Sequence, residues 1–231
     1  MVESSIEVDG ISLEYHGFKV RGVFRPLLKM SFLALKEIRL KIRKGETVAV
    51  MGHNGAGKST LLRVMAGLLR PKSGKVEIIG NPLLLSGVNP GFENSFSARQ
   101  NISWLARAYG ANPDVTVSSV EEFSEIGEAF DRPISTLSTG MKGRVGFGFA
   151  TSLNPEILLI DEVLGVGDPT FKSKATDRLK EMIRTTGSVV ISTHSVGLVK
   201  EIASRVVVLE QGRVIHDGDV QEGLGIYANM K

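Results

Sequence analysis

The sequence predicts an α/β protein with a mostly parallel sheet, antiparallel strands near the N-terminus and an inserted helical subdomain. Three observations carry this expectation. Short apolar runs at 47–51, 157–160 and 188–192 alternate with helix-periodic segments at 61–69, 172–185 and 195–203, the order that covers a parallel sheet on both faces. Residues 6–15 and 35–42 instead alternate apolar with polar side chains, as half-buried strands do. Between 97 and 149 the signal is mostly helical.

Along the chain, Ile6, Val8, Ile11, Leu13 and Tyr15 mark a strand pair or a bulged strand at a sheet edge. Residues 16–34 break the alternation with His16-Gly17 and a mixture containing Arg21, Phe24, Arg25, Pro26, Lys29 and Phe32, which predicts a loop or a short amphipathic turn. Lys44-Gly45 turns the chain into the buried run at 47–51, which leads through a Gly-rich turn into a helix. A turn at 71–74 and a short strand at 76–79 follow, then an irregular stretch at 81–93 with Pro82 and Pro90. Within the helical region, 100–109 and 120–130 carry apolar residues at three- and four-residue spacing, and 95–153 is read as the inserted subdomain. After the strands and helices from 157 to 203, residues 206–209 and 213–216 predict a hairpin about Gln211-Gly212.

A chain of 231 residues with 42% hydrophobic and 23% charged residues can bury a sizeable core, which excludes wholesale disorder. The formal charge of +3 is too mild to argue for nucleic-acid binding. The absence of Cys removes disulfides, thiol catalysis and cysteine-rich zinc sites, and the four His show no metal-ligand spacing. No run of about 18 apolar residues exists and the N-terminus lacks the pattern of a secretory signal, so any membrane role is expected to be peripheral.

Gly52-His53-Asn54-Gly55-Ala56-Gly57-Lys58-Ser59 fits the phosphate-loop pattern G-x-x-x-x-G-K-[ST], between a predicted strand and a predicted helix as that motif requires. Its glycines let the backbone curl so that successive N–H groups point at one anion, Lys58 adds charge for the β- and γ-phosphates, and Ser59 can ligate magnesium. Asp161 ends a buried strand, where it can hold the magnesium through water, and Glu162 can act on an attacking water as general base. The Ser138-x-Gly140 turn opens a Gly- and Ala-rich segment at 143–152. It reads either as a plain N-cap or as a second anion site that serves a neighbouring subunit in a two-fold dimer.

Together these motifs resemble the ATP-binding subunits of ABC transporters, over almost the whole chain. The resemblance rests on the loop from Gly52 to Thr60, on Leu137-Ser138-Thr139-Gly140, on Leu159-Ile160-Asp161-Glu162, and on Asp168 and Thr193-His194. It implies one ABC-type ATPase domain whose core is 1–94 and 154–231, with ATP and Mg2+ as cofactors. It also implies that Asp168 links two sites across a homodimer, that His194 contacts the γ-phosphate, and that Tyr15, or alternatively Phe18, stacks on adenine. Val166-Gly167-Asp168-Pro169-Thr170-Phe171 is similar to the ATPases that export capsular polysaccharide, O-antigen or teichoic acid. So are Gly91-Phe92, Ala98-Arg99-Gln100-Asn101-Ile102, Gly140-Met141-Lys142-Gly143-Arg144 and Phe32-x-Ala34-Leu35-Lys36.

That narrower resemblance implies a peripheral subunit on the cytoplasmic face of the cytoplasmic membrane, bound to integral permease subunits. Its cargo would be a lipid-linked polysaccharide that it touches little, and nucleic acid would not be a partner. Phe92 and Phe96, in an irregular and exposed-looking stretch, are expected either to receive a short helix from the membrane subunit or to pack against the inserted helices. Two departures from the family pattern stand out. Thr139 and Met141 replace a Gly and a Gln of the usual signature, and Val88 or Asn89 falls where a glutamine is usual. Because Lys231 follows soon after the last predicted strand, no glycan-reading role is expected.

Overall fold

The structure, a computed structural model, describes residues 3–19, 28–86, 90–161 and 169–230. Glu162 and Asp168, Val88 and Asn89, and Arg21, Phe24, Arg25 and Pro26 lie outside the described residues. The chain forms two compact units, the first from the residues up to Leu84, Glu156–Asp161 and the residues from Gly187 onward, the second from Leu85–Pro155 and the helix that ends near Thr186.

In the first unit, β1 (Ser4–Lys19) pairs antiparallel with β2 (Leu28–Arg43) on one side and with β4 (Ser73–Ile78) on the other. The break in its apolar pattern has a physical cause. A register shift between Val8 and Ile11, with Gly10 at φ 60, moves the inward face from Ile6 and Val8 to Ile11 and Leu13. On β2 the positive φ of Glu37 separates buried Leu35 from Ile38, Leu40 and Ile42 in the same way. The loop expected at 16–34 is corrected: both strands run on as hairpin arms, with Tyr15 opposite Phe32 and Gly17 opposite Met30. Met30 and Phe32 are 53% and 62% exposed, so the arms leave the core and carry no inward pattern for a sequence reading to detect.

The second sheet has the order β5–β6–β7–β3–β8–β9, formed by β5 (Pro82–Ser86), β6 (Ile157–Asp161), β7 (Ser188–Ser192), β3 (Thr47–Met51), β8 (Arg205–Glu210) and β9 (Arg213–Gly218). β6, β7, β3 and β8 are parallel neighbours, and β9 returns antiparallel to β8. Strand β5 corrects the expected irregularity at 81–93, where the prolines masked a short strand at the sheet edge. Ser192 is in register with both Val50 and Asp161, so the carboxyl ends of three strands finish level. Such an edge is where open α/β sheets present ligand-binding groups.

Helix α1 (Lys58–Met65) is shorter than its apolar run because Ala66 caps it and Gly67, at φ 73, turns the chain. Helix α6 (Val196–Ile202) follows β7, and a final helix, α7 (Val220–Asn229), was not anticipated. Its Gly223, Leu224 and Tyr227 form the inward stripe, but two glycines dilute the helical signal.

The second unit is helical: α2 (Ala98–Ala108), α3 (Pro113–Ser124), α4 (Thr139–Ser152) and α5 (Pro169–Thr185), with single 3₁₀ turns at Gly127–Asp131 and Ile134–Thr136. The helix expected at 120–130 ends at Ser124, because Glu125 adopts φ 52. Ile102, Leu105, Val120, Phe130, Val145 and Phe149 form its core, and Gly148 lets α4 approach Phe123 closely. The run around Arg99 is an entry device for α2. Ser97 and Gln100 form a capping box, and buried Asn101 donates to the carbonyls of Glu93, Phe96 and Ser97. Arg99 bridges Glu121 at 2.6 Å and Asp131 at 2.7 Å, which holds the Asp131 carboxyl below the usual range. Phe92 is partly buried and packs against this core, the second of the two expected readings, whereas Phe96 is exposed.

Candidate functional site

The site is built at the level end of the parallel strands. β3 is buried between β7 and β8, and its last residue passes directly into Gly52, whose φ is 147. A Cβ on Gly52 would stand 2.3 Å from the Leu209 carbonyl oxygen, and one on Gly57, at φ 106, would stand 2.8 Å from the Ala34 oxygen. The loop is therefore pressed against backbone on both flanks, and only glycine fits. Gly55, His53 and Asn54 lie on its exposed side, and buried Ala56 is pinned by its amide donating to the His53 carbonyl. Helix α1 begins at Lys58 with no side-chain cap on Gly57, which leaves the positive end of the helix facing the loop.

Lys58 is buried, and its ammonium donates to the carbonyls of Gly52 at 2.6 Å and His53 at 3.1 Å. These carbonyl dipoles help to hold the buried charge at the loop. His194 comes from the turn after β7, and its Nε2 lies 3.4 Å from Lys58 Nζ. On the next strand, Asp161 Oδ1 accepts from Ser59 Oγ at 2.9 Å and from Ser192 Oγ at 2.8 Å. Thr60 is buried behind the loop, and the Tyr15 hydroxyl lies 3.4 Å from its Oγ1. Thus Tyr15, the loop, Lys58, Ser59, Thr60, Asp161 and His194 are brought together in the first unit.

Ser138 and Gly140 belong to the second unit, where the Ser138 hydroxyl caps α4 by accepting from the Met141 amide at 3.2 Å, and Thr139 and Gly140 are exposed. Two residues were missed by the sequence reading. Ser192 carried a faint signal, since it ends the strand that leads to Thr193-His194. Tyr227 carried none: its hydroxyl lies 2.8 Å from His194 Nδ1, from a helix that was not anticipated.

The donor set suits magnesium, which takes one or two hard protein oxygens and completes its octahedron with water and phosphate; Ser59 Oγ and Asp161 Oδ1 stand 2.9 Å apart. Among the described residues no group of three or more His, Cys, Asp or Glu is gathered that could hold a metal by itself.

A family model described as ABC transporter matches residues 35–165, more than half of the chain. The chain belongs to the ABC transporter family. Among curated relatives, the teichoic acids export ATP-binding protein TagH of Shouchella clausii (strain KSM-K16) is 33% identical over 215 residues, covering 90% of this chain and 59% of that protein. The polysialic acid transport ATP-binding protein KpsT of Escherichia coli is 37% identical over 198 residues, covering 83% of this chain and 87% of that protein. This ABC family member therefore spans about six tenths of the TagH relative's length. A dimeric structure of the ATP-binding cassette MJ0796, in a post-hydrolysis state bound to ADP and Pi, superposes with a TM-score of 0.72 at 23% identity, covering 93% of this chain and 98% of that one. That likeness bears on the fold, and it agrees with the α/β core, the antiparallel N-terminal sheet and the helical insertion expected from the sequence.

Proposed function

We propose that this chain is the ATP-hydrolysing subunit of an exporter that moves a lipid-linked polysaccharide across the cytoplasmic membrane. The observation that carries the reading is the convergence of Lys58, Ser59, Asp161 and His194 on one glycine-cradled loop. Loop amides and the α1 N-terminus bind the phosphates, and Lys58 exchanges its carbonyl partners for the β- and γ-oxygens. Tyr15, tethered beside Thr60, stacks on the adenine. Ser59 and Asp161 would hold a magnesium ion, which would supply charge neutralisation to the phosphates. Glu162, next in sequence to Asp161, takes the proton of the attacking water, and His194 orients the γ-phosphate.

In this reading the protein works as a head-to-tail homodimer. Ser138 and Gly140 of one copy complete the phosphate site of the other, and Asp168 links the two sites. The dimer sits on the cytoplasmic face of the membrane beneath integral permease subunits, touches the glycan little and does not bind nucleic acid. The export names of its relatives support the cargo class, and no helix among the described residues is long and apolar enough to cross a membrane. Phe96, 42% exposed beside the α2 entry, is the apolar anchor for the permease.

Purification of the tagged protein from its own cells in mild detergent should bring down a permease subunit. Phe96→Ala should keep ATP hydrolysis while losing both the permease and surface polysaccharide. Normal polymer export in cells lacking this protein would overturn the cargo assignment.

A further inference from the structure

We infer that Phe32 is a second wall for the nucleotide base, across from Tyr15, and that the bare backbone at Gly17 is the floor beside them. The inference rests on reading the loop as an ATP site, and it extends that site onto the hairpin of β1 and β2.

The placement follows from register. Residues directly opposite one another in an antiparallel pair project to the same side, and so do residues two apart on one strand. Tyr15 is opposite Phe32, His16 opposite Ser31 and Gly17 opposite Met30, with no irregularity between them. Tyr15, Gly17, Met30 and Phe32 therefore share one face. The Tyr15 hydroxyl, 3.4 Å from Thr60 Oγ1, gives the direction of that face: it looks toward the first turn of α1, whose N-terminus faces the loop. Strand β2 meets the loop as well, two residues past Phe32, where the Ala34 carbonyl oxygen would stand 2.8 Å from a Cβ on Gly57.

The face is apolar and open. Tyr15, Met30 and Phe32 are all exposed, and a Cβ added at Gly17 would meet nothing within 4 Å. A purine has two flat faces, so aromatic rings beside a bare stretch of backbone match it better than a closed aliphatic pocket would. Both strands carry the patch directly to the loop, which favours the base of a nucleotide bound there over a separate partner. Tyr15 is held at its hydroxyl and offers one plate; Phe32 brings a ring from the facing strand.

Two ligands separate the base from the phosphates: ATP and inorganic tripolyphosphate, each titrated by calorimetry into the full chain without magnesium. Phe32→Ala should weaken ATP at least about threefold and leave tripolyphosphate within about 1.5-fold. Gly17→Val, at a strand position with room for the side chain, should do the same by filling the floor. Phe32→Trp, with the single native tryptophan removed by Trp104→Phe, should change its emission on addition of ATP and not of tripolyphosphate. Either Phe32→Ala or Gly17→Val protein binding ATP as wild type does, or losing both ligands equally, overturns the inference. Wild-type ATP affinity in a Phe32→Ala protein that no longer retains a permease subunit would assign the patch to that partner instead. A wild type that binds both ligands leaves the ATP reading standing whichever way the variants fall; one that binds neither overturns that reading and the inference together.

Discussion

Ser59 and Asp161 stand 102 residues apart in the chain, yet the Ser59 hydroxyl donates to Asp161 Oδ1 at 2.9 Å. The first lies in the opening turn of the helix after β3 and the second ends β6, two strands away across β7. Parallel pairing places them together: Ser192 on β7 is in register with both Val50 and Asp161, and its own hydroxyl also donates to that carboxylate. The meeting of these two side chains is thus a consequence of strand register.

Asp161→Asn keeps the shape of the site and removes its negative charge. Magnesium should then cease to strengthen ATP binding, with affinity in its presence falling at least about tenfold while magnesium-free binding changes little. Titration of a fluorescent ATP analogue with and without the metal reads both quantities.

Two loop glycines should separate steric from conformational cost. Gly52→Ala drives a Cβ to 2.3 Å from the Leu209 oxygen and should lose roughly 2 kcal/mol or more in urea unfolding. Gly55→Ala meets nothing within 4 Å at φ 81, so it should cost only left-handed strain, roughly 1 kcal/mol.

The cap of α7 should make its docking acid-sensitive. Hydrogen bonds from the Glu222, Gln221 and Val220 amides, aided by nearby His216, hold the Asp219 carboxyl below its ordinary value of 3.8. With the folded pKa depressed, the stabilisation is present above 3.8 and is lost as pH falls through the lower, folded value. Asp219→Ala should therefore melt earlier than wild type at pH 7 and approach it in strong acid. Asp219→Asn, which still caps, should melt with less dependence on acid. Thermal melts followed by circular dichroism across this range check the sign.

The placing of the glycine-rich loop between a strand and a helix was legible because its residues are contiguous and follow a buried apolar run. Asp161 was legible too, since a buried apolar run ending in a carboxylate marks the ligand edge of a sheet. The hairpin arms were not, because Met30 and Phe32 leave the core and none of 14–17 and 30–33 is buried. Strand β5 hid behind Pro82, which an edge strand tolerates and a propensity reading penalises. Phe92 and Phe96 looked alike in sequence, and only packing tells the partly buried residue from the exposed one. Tyr227 was out of reach: its meaning comes from a contact with His194, 33 residues earlier, that no local pattern encodes.

The central claim, that this chain turns over ATP at the loop with Glu162 as its base, is tested most directly by phosphate release from MgATP. Wild-type protein should release phosphate only with magnesium present. Glu162→Gln should bind ATP as well as wild type, turn over slower by about two orders of magnitude or more, and accumulate as an ATP-loaded dimer. Near-normal turnover by Glu162→Gln would contradict the account.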